Sequence, residues 1–257
     1  MTEAELLAHD GLPGWIDGQL EAGSMTEAEW LGCAHPEPML QFLRGKASDR
    51  KLRLFACACC RYVPALLADV RSRRAVEVAE RFVDGLARHE ELSEAQQAAI
   101  DAYFSAAGRA SYPDAWAAAS RASLYAAKGV AYPAAKRAVS REKTMGTEAA
   151  NFLTIWRAAL EPALAATRTA QAVLLRDVIA NPFRPVTIEP AWLFGNDGVT
   201  VKIAQAIYDG RSYGDLPILA DALEEAGCTN ADILTHCRTA IEHVRGCWVV
   251  DLLLEKN

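Results

Sequence analysis

Residues 52–67 read LRLFACACCRYVPALL. From Leu54 to Cys60 the stretch holds no polar residue. A helix that is apolar around its whole circumference has to be buried on every side. Lys51 and Arg53 precede the run and Arg61 follows it, so the ends are expected to reach water while the middle stays dry. The expectation is an all-α fold, a multi-helix bundle enclosing this rod. Leu54, Phe55, Cys57 and Cys60 are then structural residues, and Pro64 interrupts or kinks the helix.

Working outward, 257 residues suffice for one large domain or two small ones. Hydrophobic residues make up 51% and charged ones 23%, which supports a sizeable core and excludes global disorder. The formal net charge of −6 argues against a dedicated nucleic-acid binder. The charge is uneven. Met1 to Leu43 carries eight acids and no Lys or Arg, whereas Arg44 to Arg81 carries ten basic residues and four acids. An acidic arm folded over the basic segment accounts for this asymmetry. No apolar run is long enough to span a bilayer, and the acidic start lacks a signal-peptide pattern, so a cytoplasmic protein without membrane contact is expected. The seven cysteines cluster mainly on apolar helical segments, where reduced, buried thiols are expected.

The chain divides into three parts. MTEAELL at residues 1–7 recurs as MTEAEWL at residues 25–31, so residues 1–24 read as an N-terminal arm or appended extension. Residues 25–180 read as a helical domain. Residues 181–257 read as a linker followed by a C-terminal helical subdomain packed on it. In the helical domain Pro36 and Pro38 open one helix, which ends near Gly45. Ser48 or Asp49 caps the central helix. Ser72 to Ala87 is amphipathic, with Val76, Ala79, Phe82, Val83 and Leu86 on one face. Ser93 with Gln96 forms a capping-box pattern opening a further helix. The alanine-rich region from Ala98 to Ala172 predicts helices near 113–127, 133–142 and 147–179, the last kinked at Pro162. The irregular stretch near 181–198, NPFRPVTIEPAWLFGNDG, holds a short strand-like run at Val186–Ile188. Beyond it come a helix from Val199 capped by Asn196 or Asp197, one from Asp215 that stops at Gly227, one from Thr229 or Asn230 to Arg238, and a buried helix from Val244 to Leu254.

Several constellations bear on chemistry. Cys57 and Cys60 form C-x-x-C, but mid-helix in apolar surroundings, where a thiol is inert. Cys228, His236, His243 and Cys247 form a candidate metal set, with zinc as the implied cofactor, and His243 and Cys247 are spaced i, i+4 as on one helix. The adjacent His236 and Cys237 point in different directions. Buried thiols and satisfied histidines, with no cofactor, are the plainer alternative. Glu224 and Glu225 read as a solvated face. Asp251, amid the apolar residues following Trp248, is a buried carboxylate that needs a partner, for which Arg245 or Arg238 is available. Arg71, Arg73, Arg74 and Arg81 form a basic stripe able to contact phosphates, or a solvated face pairing with Glu77 and Glu80. No Walker loop, G-x-G-x-x-G, nucleophile elbow or H-E-x-x-H motif is present. The leading expectation is a non-enzymatic interaction or scaffold module with a protein partner of unknown identity. The alternatives are a metal- or thiol-dependent protein and a nucleic-acid binder.

Two stretches carry a resemblance: MTEAEWL…PMLQFLRGKASDRKLRLFACACCRY at residues 25–62, and LPILADALEEAGCTNADILTHCR…HVRGCWVVDLLL at residues 216–254. In these the chain resembles a large uncharacterised family of paralogous bacterial proteins, a likeness covering most of the sequence beyond Met25. Residues 219–238 also resemble the short helix-turn-helix of bacterial repeat-companion domains, with Cys228-Thr229-Asn230 in place of the usual Asp-Pro turn. The first resemblance implies no activity and the second implies an accessory or interaction role. Neither supplies a catalytic residue.

Overall fold

A computed structural model describes residues 24–62, 69–107 and 168–256. The described residues are helical and contain no strand, which agrees with the all-α expectation. Val186–Ile188 is irregular chain. The arm at 1–23, the kink at Pro64, the helices expected near 113–127 and 133–142 and the kink at Pro162 lie outside the described residues.

Helix α1, Glu27–Gly32, opens with a reciprocal cap between Thr26 and Glu29 and buries Trp30. Helix α2, Pro36–Phe42, uses Pro36 in its first turn. The chain then reverses through Gly45, whose φ of 73° lies in the left-handed region that favours glycine. Ser48 accepts the backbone N–H of Lys51 at 3.3 Å and so caps α3, Asp49–Tyr62. Every residue from Leu52 to Cys60 is buried. The expectation that Arg53 reaches water is overturned: it is 7% exposed, its guanidinium 5.1 Å from the centre of the Phe82 ring. Lys51 is turned inward as well, its ammonium on the Gly246 carbonyl at 2.9 Å and on Asp251 at 2.6 Å.

Helix α4, Val70–Val83, is capped by Asp69 and ends in a paired turn, Gly85 N–H to Phe82 O and Leu86 N–H to Arg81 O. That turn directs Leu86 outward, 61% exposed, so Leu86 leaves the apolar face on which the spacing placed it. Helix α5, His89–Ala107, starts a turn before Ser93, which puts Ser93 inside the helix rather than at its cap. Helix α6 spans 168–178. These six helices enclose a first core around Trp30, Met39, Phe55, Cys57, Val76 and Leu175.

After an irregular segment come α7, Pro190–Phe194, and a 3-10 turn, Gly195–Gly198. Helix α8, Val199–Gly210, starts at Gly198 with φ 68° and without a side-chain cap. A left-handed glycine, not Asn196 or Asp197, therefore makes this entry. Helix α9, Leu216–Glu225, has Pro217 in its first turn and stops where Gly227 (φ 87°) closes a Gly227 N–H to Glu224 O bond. Asn230 caps α10, Ala231–Arg238, accepting from Asp232 and Ile233. Helix α11 is only Trp248–Leu253, shorter than expected because residues 239–247 form a loop. These elements enclose a second core around Trp192, Ile207, Leu219, Leu223, Ile233 and Trp248.

A set of polar groups bridges the two cores. Asp251 accepts from Arg50 at 2.6 Å as well as from Lys51. Asp84 accepts from Arg50 at 3.2 Å, from Arg245 at 2.8 Å and from the Tyr208 hydroxyl. Glu80 is shared by Arg61 and Arg211. The partner of Asp251 is thus neither Arg245 nor Arg238, both of which are engaged elsewhere, Arg245 with Asp84 and Arg238 with Asp221 and Glu224. Arg50 and Lys51 lie on the first turn of α3, a rod that points at the end of the chain. Of the acidic residues near the start, Glu27 pairs with Arg184 and Glu29 caps its own helix, so neither covers the basic segment.

Candidate metal centre

Asp177 sits on α6, one residue after Arg176. Successive helical residues point about 100° apart, and this pair reaches two parts of the chain. Arg176 donates to the carbonyls of Trp30 and Cys33 at the end of α1. Asp177, with 0% side-chain exposure, faces the loop that follows α10. Asp177 Oδ2 accepts the backbone N–H of Val244 at 2.8 Å. Its Oδ1 lies 2.6 Å from His243 Nδ1 and 3.2 Å from His236 Nε2. His236 Nε2 is also 3.2 Å from Cys247 Sγ. One ligand atom from each of Asp177, His236, His243 and Cys247 lies within 4.8 Å of all the others.

The four groups come from three places: the middle of the chain, the last turn of α10, and the loop at 239–247. His243 and Cys247 do not share a helix, so the i, i+4 argument is replaced by loop geometry. Gly246, at φ 98°, makes the bend that delivers Cys247 to the start of α11. A Cβ at Gly246 would stand 3.0 Å from a side-chain carbon of Leu54, so the central rod of the first core sets how closely this loop approaches.

The surroundings are dry. His236 and His243 side chains are 11% and 5% exposed, and Cys247 is fully buried. The rings of His236 and His243 meet edge to face, 4.8 Å between centres, and Trp248 covers His236 at 5.1 Å. Burial pushes the Cys247 thiol well above its ordinary value, and the Asp177 charge adds to this, against smaller opposing contributions from the Val250 and Val249 amides. Burial would also raise Asp177, but hydrogen bonds from His236 and His243 outweigh it and hold the carboxyl below the usual range.

The structure brings three members of the expected set together, His236, His243 and Cys247. Cys228 is not the fourth. It lies in the second core with Cys237, where burial raises its thiol and takes that of Cys237 to about 12. Asp177 takes its place. The sequence held a signal for it, an acid inside the apolar run AVLLRDVIA, of the same kind that marked Asp251. His236 and Cys237 do diverge, one toward the cluster and the other into the core. Cys57 is enclosed in the first core, and burial holds its thiol well above the ordinary value. Cys60 is enclosed there too. In the basic stripe, Arg71 pairs with Asp69 and Arg81 with Glu91, while Arg73 and Arg74 are exposed. Glu80, offered as a partner for that stripe, is buried and serves Arg61 and Arg211 instead.

The chemistry of the donors suits a borderline divalent ion: two imidazoles, one sulfur and one carboxylate. Tetrahedral zinc, with bonds of about 2.0–2.3 Å, places ligand atoms about 3.3–3.8 Å apart. The contacts at 2.6 and 3.2 Å are shorter than that, so the side chains would have to spread to admit an ion, and all four ligand atoms lie within 4.8 Å of one another. Outer partners are also in place. Val244 N–H holds Oδ2 and leaves Oδ1 to face inward, and the Thr239 carbonyl lies 3.4 Å from His243 Nε2.

No protein-family model, curated protein or solved structure matches this chain. No helix among the described residues is long and apolar enough to cross a membrane.

Proposed function

We propose that this chain is a non-enzymatic helical interaction module whose two cores are clamped by a zinc ion held by Asp177, His236, His243 and Cys247. A single observation carries the reading: the same nitrogen of His236 faces both Asp177 Oδ1 and Cys247 Sγ, each at 3.2 Å. A cysteine–histidine–aspartate proton relay needs the acid on one ring nitrogen and the sulfur on the other. Here both meet one nitrogen, the arrangement of donors around a common point. Four protein donors in a closed, dry site also match structural rather than catalytic zinc, which keeps a position open. The buried thiol does not serve as a nucleophile. It serves as a ligand once an ion displaces its proton.

The interaction role rests on the helix-turn-helix of α9 and α10 and on its resemblance to accessory domains. The test of the metal is elemental analysis of protein purified without a tag. One zinc per chain is expected, and the His236→Gln variant, which removes a direct ligand, is expected to lose it. Protein that carries no stoichiometric zinc and takes none up from micromolar solution would sink the reading.

A further inference from the structure

We infer that metal occupancy controls whether the C-terminal body, residues 186–256, is docked on the first core, so that the site is a switch for domain docking and not merely a local staple. The inference rests on the zinc reading above.

The two apolar clusters are separate, one ending with α6 and its neighbours and the other beginning at Trp192. Apolar bridges between them include Val244, which packs against the first core, Ala180, which packs against the second, and Gly246, which lies under Leu54. The remaining bridges named are ion pairs and hydrogen bonds: Arg50 and Lys51 with Asp251, Arg50 and Arg245 with Asp84, and Arg211 with Glu80. Pairs of this kind specify geometry but contribute little net free energy, because desolvation offsets most of the attraction. An ion binding the docked arrangement and not the open one adds its binding free energy to docking directly. Its ligands are placed for this. Asp177 belongs to the first body, whereas His236, His243 and Cys247 belong to the second, so coordination cannot be completed without docking. The two bodies retain their own cores when parted, which makes parting a discrete step rather than unfolding.

Hydrogen exchange of the full chain, zinc-loaded and after chelation, tests this, with metal content measured on the same samples. Chelation is expected to speed exchange about tenfold or more in residues 239–247 and at the start of α3, while the amides of α4 and α9 keep their protection. The His236→Gln variant should show the fast pattern with and without zinc. Stoichiometric zinc with unchanged exchange overturns the switch and leaves the site standing. A uniform rise across both cores also overturns it, since the ion would then hold the fold rather than the docking. Absence of zinc binding overturns both readings.

Discussion

Asp177 and Asp251 are alike in nearly every local respect and differ in what surrounds them. Each is buried, at 0% and 1% exposure. Each interrupts an apolar helical run, LLRDVI in one and WVVDLL in the other, and each joins the two cores. Asp251 meets Arg50 and Lys51. Asp177 meets two imidazoles with a thiol behind them. A carboxylate between cations is already neutralised, and its geometry is saturated. A carboxylate among neutral-capable nitrogen and sulfur donors has charge to offer a cation from outside. What surrounds a buried acid, not its burial, separates a structural pair from a ligand.

The comparison breaks most visibly at Asp251. Removing it leaves Arg50 and Lys51 buried against each other, and stranding a buried charge costs about 3–5 kcal/mol. Asp251→Ala should therefore lower the urea midpoint severely, by the same amount with and without chelator. Asp177→Ala should depend on conditions. In zinc-loaded protein it should cost about 2–4 kcal/mol, the linkage expected for a ligand well above its dissociation constant. After chelation the cost should shrink to that of leaving the Val244 N–H and the two imidazoles without their acceptor, about 1–3 kcal/mol. If Asp177→Ala is equally costly in both conditions, the two aspartates are the same kind of residue and the contrast fails.

Three of the four residues of the cluster were legible because the C-terminal segment is rich in Cys and His over a short span. The fourth was not, because Asp177 lies 66 positions from His243 and reaches it only through tertiary packing. Cys228 misled for the converse reason. It is near in sequence, but the paired turn after Gly227 directs it into the second core. His243 and Cys247 do converge, but through a glycine bend where the spacing had placed a helix. The fold was more legible than the site. The unbroken apolar run of α3, the proline starts and the Gly227 stop are local signals, and local signals suffice for helices. Arg53 and Lys51 were misjudged because their stems pack on apolar surface while their heads meet groups inside the protein, Arg53 the Phe82 ring and Lys51 the distant Asp251.

A third buried acid sharpens the contrast through pH. Burial raises the Glu80 carboxyl, but hydrogen bonds from Arg61 and Arg211 outweigh this and bring it below its ordinary value of 4.5. A folded-state value below the unfolded one means that Glu80 stabilises the fold fully above about pH 5, and that this is lost as pH falls through the folded value. Urea midpoints should thus fall, as pH drops below about 5, more steeply in the parent chain than in Glu80→Gln. Parallel curves would mean that Glu80 does not contribute as a paired anion. Arg211 adds a local cost to this arrangement, since its backbone stands at φ 54°, in the left-handed region, at the end of α8.

The smallest effect is expected at Cys57, and it bears on which sulfurs are chemically engaged. Cys57 and Cys247 are both fully enclosed, and burial raises both thiols. The Cys57 sulfur donates to the Val76 carbonyl at 3.9 Å, a weak bond within its own core, whereas Cys247 has His236 at 3.2 Å. Cys57→Ala removes one sulfur from a packed interior and should cost about 1 kcal/mol, with zinc content and chelator response unchanged. Cys247→Ala removes a similar volume and should abolish the chelator response. Since the two substitutions are matched in size and burial, only the second should change metal content. A loss of zinc in Cys57→Ala would place the ion's control in the first core and undo the division between packing thiols and a ligand thiol.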